Sequence, residues 1–221
     1  HEGEGDGLFM AKAALDRLLV APQGEFRPAQ EEMRRYLAGL QWMVLPLSLF
    51  PTAPAQGALA IEAAAGREDL RALVAAITCE RTRAEVTAER KTFSEFGGGC
   101  HQKIGFTVQG ALSFFHGKLD SGEIRHWVRT ARAYPPLKTR WPETPANLFE
   151  RESIPAAQPD SDLYVTRENA LPADWRPGNQ LIWAAGTETW KKLARRGFWV
   201  NGTDDGLGET QPPVEALASR P

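Results

Sequence analysis

Between residues 133 and 160 the chain places six prolines, Pro135, Pro136, Pro142, Pro145, Pro155 and Pro159, and loses its apolar periodicity. Proline fixes φ and has no N–H to donate, so such a stretch suits neither a helix interior nor a central strand. A single core running unbroken along the chain is therefore not expected. We read 133–160 as a linker with local turns, joining units that fold on either side of it. The 221 residues, 42% hydrophobic and 24% charged, give enough length for one or two domains of ordinary globular composition.

Upstream of the linker the pattern alternates. Gly7 to Met10 reads as a short buried strand, and Ala11 to Val20 as a helix with Leu15, Leu18 and Leu19 on one face. Pro28 fits the first turn of a second helix, where Glu31 and Glu32 suit the positive end of the dipole. Trp42 to Leu47 and Ala58 to Glu62 are expected strands, punctuated by Pro51, Pro54 and Gly57. Asp69 to Ile77 is a helix with Leu70, Leu73 and Val74 at helical spacing, and Cys79 stands in an apolar helical context.

A longer helix is expected over Arg81 to Phe96. Val86, Phe93 and Phe96 define its apolar stripe, and Arg90, four after Val86, falls on it. An arginine there either snorkels along the apolar surface or pairs with a buried anion. The run Gly97-Gly98-Gly99-Cys100 follows at once. Three glycines allow strained backbone angles and present the thiol openly; a glycine-rich helix stop with a buried cysteine beside it is the plainer alternative. Next come three strands, Ile104 to Val108, Ala111 to Phe115 and Ile124 to Val128, with turn chemistry in His116-Gly117-Lys118 and Asp120-Ser121-Gly122.

Downstream of the linker, Asp162 to Thr166 and Gln180 to Ala185 are expected strands. Gly186-Thr187-Glu188-Thr189 opens a helix through Arg196, and Phe198-Trp199-Val200 begins a third strand. That is a βαβ-like fragment with its active end at the helix start. Thr187 and Thr189 there either cap the helix or bind an anion.

Composition narrows the function. A net charge of −2 gives no electrostatic case for nucleic acid or an anionic membrane. The longest apolar run, Trp42 to Pro51, is too short to span a bilayer and contains a proline. Two cysteines make no disulfide framework, which points to a reducing cytoplasm. The histidines, His1, His101, His116 and His126, make no HxxxH or CxxC spacing with them, so no metal is expected, and no nucleophile elbow suggests a serine hydrolase. The chain begins with His1 and shows no charged-then-apolar leader, and we expect a piece of a larger protein.

Four stretches in order carry a family resemblance: Asp6 to Leu18, Pro54 to Glu62, Thr87-Ala88-Glu89-Arg90, and Gly98-Gly99-Cys100 followed by Ile104-Gly105. Together they resemble hydroxymethylbilane synthase, also called porphobilinogen deaminase. The resemblance implies that Cys100 forms a thioether to a dipyrromethane cofactor, which primes assembly of a linear tetrapyrrole from porphobilinogen. It places Gly98, Gly99, Arg90 and Lys103 around that cofactor, and makes 54–65 a strand crossing between domains. A free thiol titrates near ~8.5, and the helix C-terminus before Cys100 disfavours its thiolate. Neighbouring cations must therefore activate it: Arg90, Lys91, His101 and Lys103 are the local ones. Lys91 and Lys103 as merely solvated charges is the alternative.

The departures matter too. Lys103 stands where the family usually has a proline, and Ala63-Ala64-Ala65 where an arginine is usual. The family's catalytic aspartate and most of its substrate-gripping arginines belong to sequence upstream of His1, so this chain alone is not expected to polymerise porphobilinogen. Residues 161–221 are similar to part of uroporphyrinogen-III synthase, which would let Thr187 and Thr189 hold a propionate and make the parent a fusion. A non-catalytic tetrapyrrole-binding module is the third possibility. The expected fold is α/β and α+β. Residues 1–53 form a partial middle α/β domain, 54–65 the crossing strand and 66–132 a small α+β cofactor domain with antiparallel strands. The linker 133–160 and the βαβ-like fragment 161–221 complete the chain, the parent enzyme being monomeric.

Overall fold

The structure, a computed structural model, describes residues 6–22, 24–97, 103–133, 152, 154, 157–158 and 160–205. In chain order the elements are α1 (Lys12–Val20), α2 (Arg27–Ala38), α3 (Glu68–Ile77), α4 (Glu80–Glu95), β1 (Lys103–Gln109), β2 (Leu112–Lys118), β3 (Ile124–Thr130), β4 (Leu163–Val165), a 3-10 turn (Glu168–Ala170), β5 (Ile182–Ala184), α5 (Thr187–Arg195) and β6 (Gly202–Thr203). The fold is mixed α/β, with one antiparallel three-stranded sheet, β1-β2-β3, and one parallel three-stranded sheet, β4-β5-β6. Two compact units contain them: residues 1–46 with 155–221, and residues 47–154. Among the described residues no helix is long and apolar enough to cross a membrane.

In the first unit, α1 and α2 close over Leu15 and Leu19, with Met33, Leu37, Trp42, Val44 and Trp183 packed around them. Segments expected as separate, 1–53 and 161–221, thus supply residues to one cluster. Gln30, buried, donates its Nε2 to the carbonyls of Leu18 at 2.9 Å and Ala21 at 2.8 Å, satisfying the otherwise unpaired end of α1. The second cluster of this unit holds Val165, Leu171, Ile182, Ala184, Leu193, Phe198 and Val200 between the parallel sheet and α5.

Asn201 stitches the unit together. Its backbone N–H donates to Ile182 O and its carbonyl accepts from Val44 N; its side chain accepts from Ile182 N and donates to Trp42 O, both at 2.9 Å. That explains one correction. The third strand begins not at Phe198 but at β6, because the ladder to β5 starts at Asn201, while Phe198 and Val200 point into the core.

Three further strand expectations do not hold. Residues 7–10, 42–47 and 58–62 form no strand, and Leu8, Phe9, Leu59 and Ile61 are exposed. A strand needs a hydrogen-bonded neighbour along its length, and Val44 has a single such bond. His116-Gly117-Lys118 is not a turn either but the end of β2; the β1–β2 turn sits at Gly110, φ +58°, and the β2–β3 turn at Asp120 to Gly122 as expected. Gly117 is needed inside the strand because a Cβ there would crowd Ile104. Cys79, expected in apolar surroundings, is exposed at the N-cap of α4.

Candidate functional site

In the second unit α4 lies on one face of the antiparallel sheet. Phe93 and Phe96 pack against Ile104, Phe106, Phe115 and Trp127, with Phe115 and Trp127 stacked at 5.3 Å between centroids. Gly97, φ +90°, ends the helix in the left-handed region that favours glycine. The chain re-enters the fold at Lys103, the first residue of β1. Cys100, Gly98 and Gly99, and with them His101, lie outside the described residues. What can be built is the frame on either side of them.

That frame rests on a residue which the sequence places in a motif but to which it assigns no role. Glu89, only 6% exposed, accepts the backbone N–H of Val108 at 2.8 Å and of Ala55 at 2.6 Å. One turn earlier Glu85 accepts the N–H of Gly110 at 2.8 Å, and Thr52 O takes that of Phe106 at 2.9 Å. Phe106, Val108 and Gly110 are alternate residues along the free edge of β1 and into the turn after it, so these three outward donors are satisfied from outside the sheet. The spacing of Glu85 and Glu89 at i and i+4 was visible. The burial of Glu89 and the half-burial of Glu85 were not, since nothing in the helix itself announces an edge strand beside it.

Arg90 is corrected accordingly. The inward stripe of α4 runs through Val86, Glu89, Phe93 and Phe96, and Arg90, about 100° further round the helix than Glu89, is exposed. The buried place went to the carboxylate because two backbone donors await it. Lys103 is exposed and stands directly opposite Lys118 in the β1–β2 register.

The other face of the sheet carries a strap, residues 47–52. Ser48 O meets His126 Nε2 on β3, Leu49 O meets His116 Nδ1 on β2 at 2.9 Å, and Thr52 reaches Phe106 and Thr107 on β1. Facing carbonyl oxygens, both ring nitrogens act as donors. Phe114, fully buried, lies on this same face. Gly105 lets the strap approach, since a Cβ there would collide with the Pro51 carbonyl. Gly105→Ala should therefore cost about 1–3 kcal/mol, read as a lower urea midpoint with faster exchange of the Phe106 amide; unchanged stability would rule out the close approach.

Glu85 gives a pH signature. The Gly110 N–H, and after it Arg81, hold its carboxyl below the usual carboxylate value. A group depressed on folding stabilises fully above its unfolded pKa, ~4.3, and loses that contribution as pH falls through the folded pKa. Glu85→Gln should therefore be less stable than the parent near neutrality and approach it under acid. A gap between their urea midpoints that stays constant with pH would disprove this.

Thr187 and Thr189 belong to the first unit. Gly186 is the N-cap of α5 with no side-chain cap, so neither threonine caps the helix. Thr189 Oγ1 instead donates to Thr166 O at 3.2 Å. Nearby, Asp204 accepts from Tyr164 Oη at 2.6 Å and Trp183 Nε1 at 2.7 Å, a clasp at the β4–β6 ends that sequence reading missed. Among the described residues no three metal-binding side chains converge.

No protein-family model matches this chain, and no solved structure matches it. Curated relatives do. The chain is 38% identical over 103 residues to porphobilinogen deaminase of Mycolicibacterium gilvum, covering 47% of this chain and 28% of the relative. It is 38% identical over 106 residues to porphobilinogen deaminase of Chromobacterium violaceum, covering 47% and 28%. To the probable porphobilinogen deaminase of Hyperthermus butylicus it is 27% identical over 123 residues, covering 55% and 35%. The chain thus spans between 28% and 35% of the length of these relatives, and it is to proteins of that name that its sequence is similar.

Proposed function

We propose that this chain is part of a hydroxymethylbilane synthase, working in tetrapyrrole biosynthesis, with Cys100 bearing a dipyrromethane through a thioether. The observation that carries the reading is the likeness to proteins named porphobilinogen deaminase over about half of the chain. Because the likeness reaches only 28–35% of those relatives' own length, polymerisation of porphobilinogen is assigned to the complete protein and not to these residues alone.

The residues flanking Cys100 suit such a group. Gly97 ends α4 without a side chain, and Lys103 opens β1 with an exposed ammonium. Arg90, exposed on α4, is a second cation on the approach to the loop. Acetate and propionate side chains call for such donors, and the glycine amides of Gly98 and Gly99 would add to them. The same cations lower the cost of a thiolate on Cys100, which the end of α4 otherwise disfavours. When bound, the dipyrromethane supplies the pyrrole carbon to which the first substrate unit is joined. The protein's share is to hold the thioether sulfur at one place between α4 and β1 while the chain grows.

Intact mass and peptide mapping of the complete protein test the reading. The adduct should map to Cys100 and leave Cys79 free. Cys79 is the demanding control: its thiol is exposed and held below the usual thiol pKa by the Thr82 hydroxyl, then by backbone N–H groups. A well-folded protein without adduct, or an adduct on Cys79, would overturn the assignment. A second reading, uroporphyrinogen-III synthase activity in 161–221, is favoured by one feature, the start of α5 beside the carboxyl ends of a parallel sheet. Cyclisation of hydroxymethylbilane by the complete protein, lost on Thr187→Val, would support it.

A further inference from the structure

Lys103 and Lys118 face each other directly in the β1–β2 register, and both are exposed. Directly opposed residues of an antiparallel pair lie on one face with Cβ atoms ~4.5–5.5 Å apart, and like charges placed there repel. The repulsion is not relieved nearby. Among the described residues neither lysine has a carboxylate within ion-pair distance, whereas on the adjoining strand Arg125 pairs with Glu123 at 2.9 Å and Arg129 lies 4.1 Å over the ring of Trp127. Lys118 is followed two residues later by Asp120 in the turn, yet no ion pair joins them. Two lysines that leave opposed backbone positions on one face can bring their ammonium groups to a single anion small enough to bridge both.

We propose that Lys103 and Lys118 together grip one carboxylate of a pyrrole ligand. The inference deepens the reading above and rests on it for the ligand class; the pairing across strands adds Lys118, which no motif suggested. It also accounts for a lysine at 103: a residue at the start of β1 with a partner across the ladder is aimed by the sheet. The carboxylate's source is either the group attached at Cys100 or free substrate.

Porphobilinogen added to the 15N-labelled chain at low ionic strength is the probe. The amide signals of Lys103 and Lys118 should move together. Lys103→Gln and Lys118→Gln should each weaken binding about fivefold, as for an exposed charge pair, and Lys118→Arg should retain it. Lys103→Glu with Lys118→Glu should abolish it. Without ligand, Lys118→Gln should be as stable as the parent or more so, because a repulsion is removed. A Lys118→Gln chain that binds as the parent does, or that is destabilised without ligand, would overturn the proposal. In the complete protein, binding seen only in Cys100→Ser assigns the grip to the attached group's carboxylate, and binding with or without the adduct assigns it to free substrate. The lysine dependence in Cys100→Ser is read independently of any adduct, so the two proposals fail separately.

Discussion

Cys100→Ser in the complete protein is expected to lose the covalent adduct entirely and to reduce tetrapyrrole assembly to background, whereas Cys79→Ser keeps both. The contrast rests on chemistry rather than on exposure. A thioether forms from a thiolate, and a serine hydroxyl is neither appreciably ionised near neutrality nor comparably nucleophilic. Ionisation alone is not expected to make the site: the Cys79 thiol is open and its pKa lowered, yet it stands at the N-cap of α4, the opposite end of the helix from Gly97. Mass spectrometry on both variants, alongside the rate of hydroxymethylbilane formation, makes the comparison. Normal assembly by Cys100→Ser would end the assignment.

Glu89→Ala should cost about 3 kcal/mol of stability, more than any other single charge on α4. The carboxylate is 6% exposed and accepts from Ala55 and Val108. Removing it strands two backbone donors, each worth about 1–3 kcal/mol when left unsatisfied. Glu89→Gln should lose much of the same, because its amide nitrogen must face one of the two N–H groups. Arg90→Ala, next along the helix and exposed, should stay within about 0.5 kcal/mol. Urea unfolding gives the totals, and hydrogen exchange at the Val108 amide gives the local effect. If Glu89→Ala does not fold, the glutamine variant still reads the same bond. Equal behaviour of Glu89→Ala and Arg90→Ala would reduce the carboxylate to a surface charge.

The two variants separate two kinds of importance. Cys100→Ser removes chemistry and should leave the frame intact; Glu89→Ala loosens the frame while leaving the thiol in place. Since α4 and β1 meet the glycine run at its two ends, a slack Glu89 contact should lower adduct occupancy as well as stability.

Periodicity and punctuation in the sequence determined the helices and the antiparallel sheet. Leu15 and Leu19 mark the buried face of α1, Pro28 the start of α2, and the alternation from Ile104 to Phe115 the β1–β2 pair, because helix and strand periods are properties of neighbouring residues. The glycine run likewise announced the end of α4, where Gly97 takes positive φ. What only the tertiary structure decided concerns partners distant in the chain. Residues 7–10 and 58–62 have strand composition yet no strand, since a strand exists only beside another. Glu89 is inside and Arg90 outside, against the simplest hydrophobic reading, because the donors waiting on α4's inner side are backbone N–H groups of Ala55 and Val108. Likewise Lys103 and Lys118, fifteen positions apart in an unremarkable sequence, became an opposed pair only when the ladder set their register. Local spacing fixes which face a residue occupies; long-range pairing fixes what that face meets, and the polar residues of this site depend on the second.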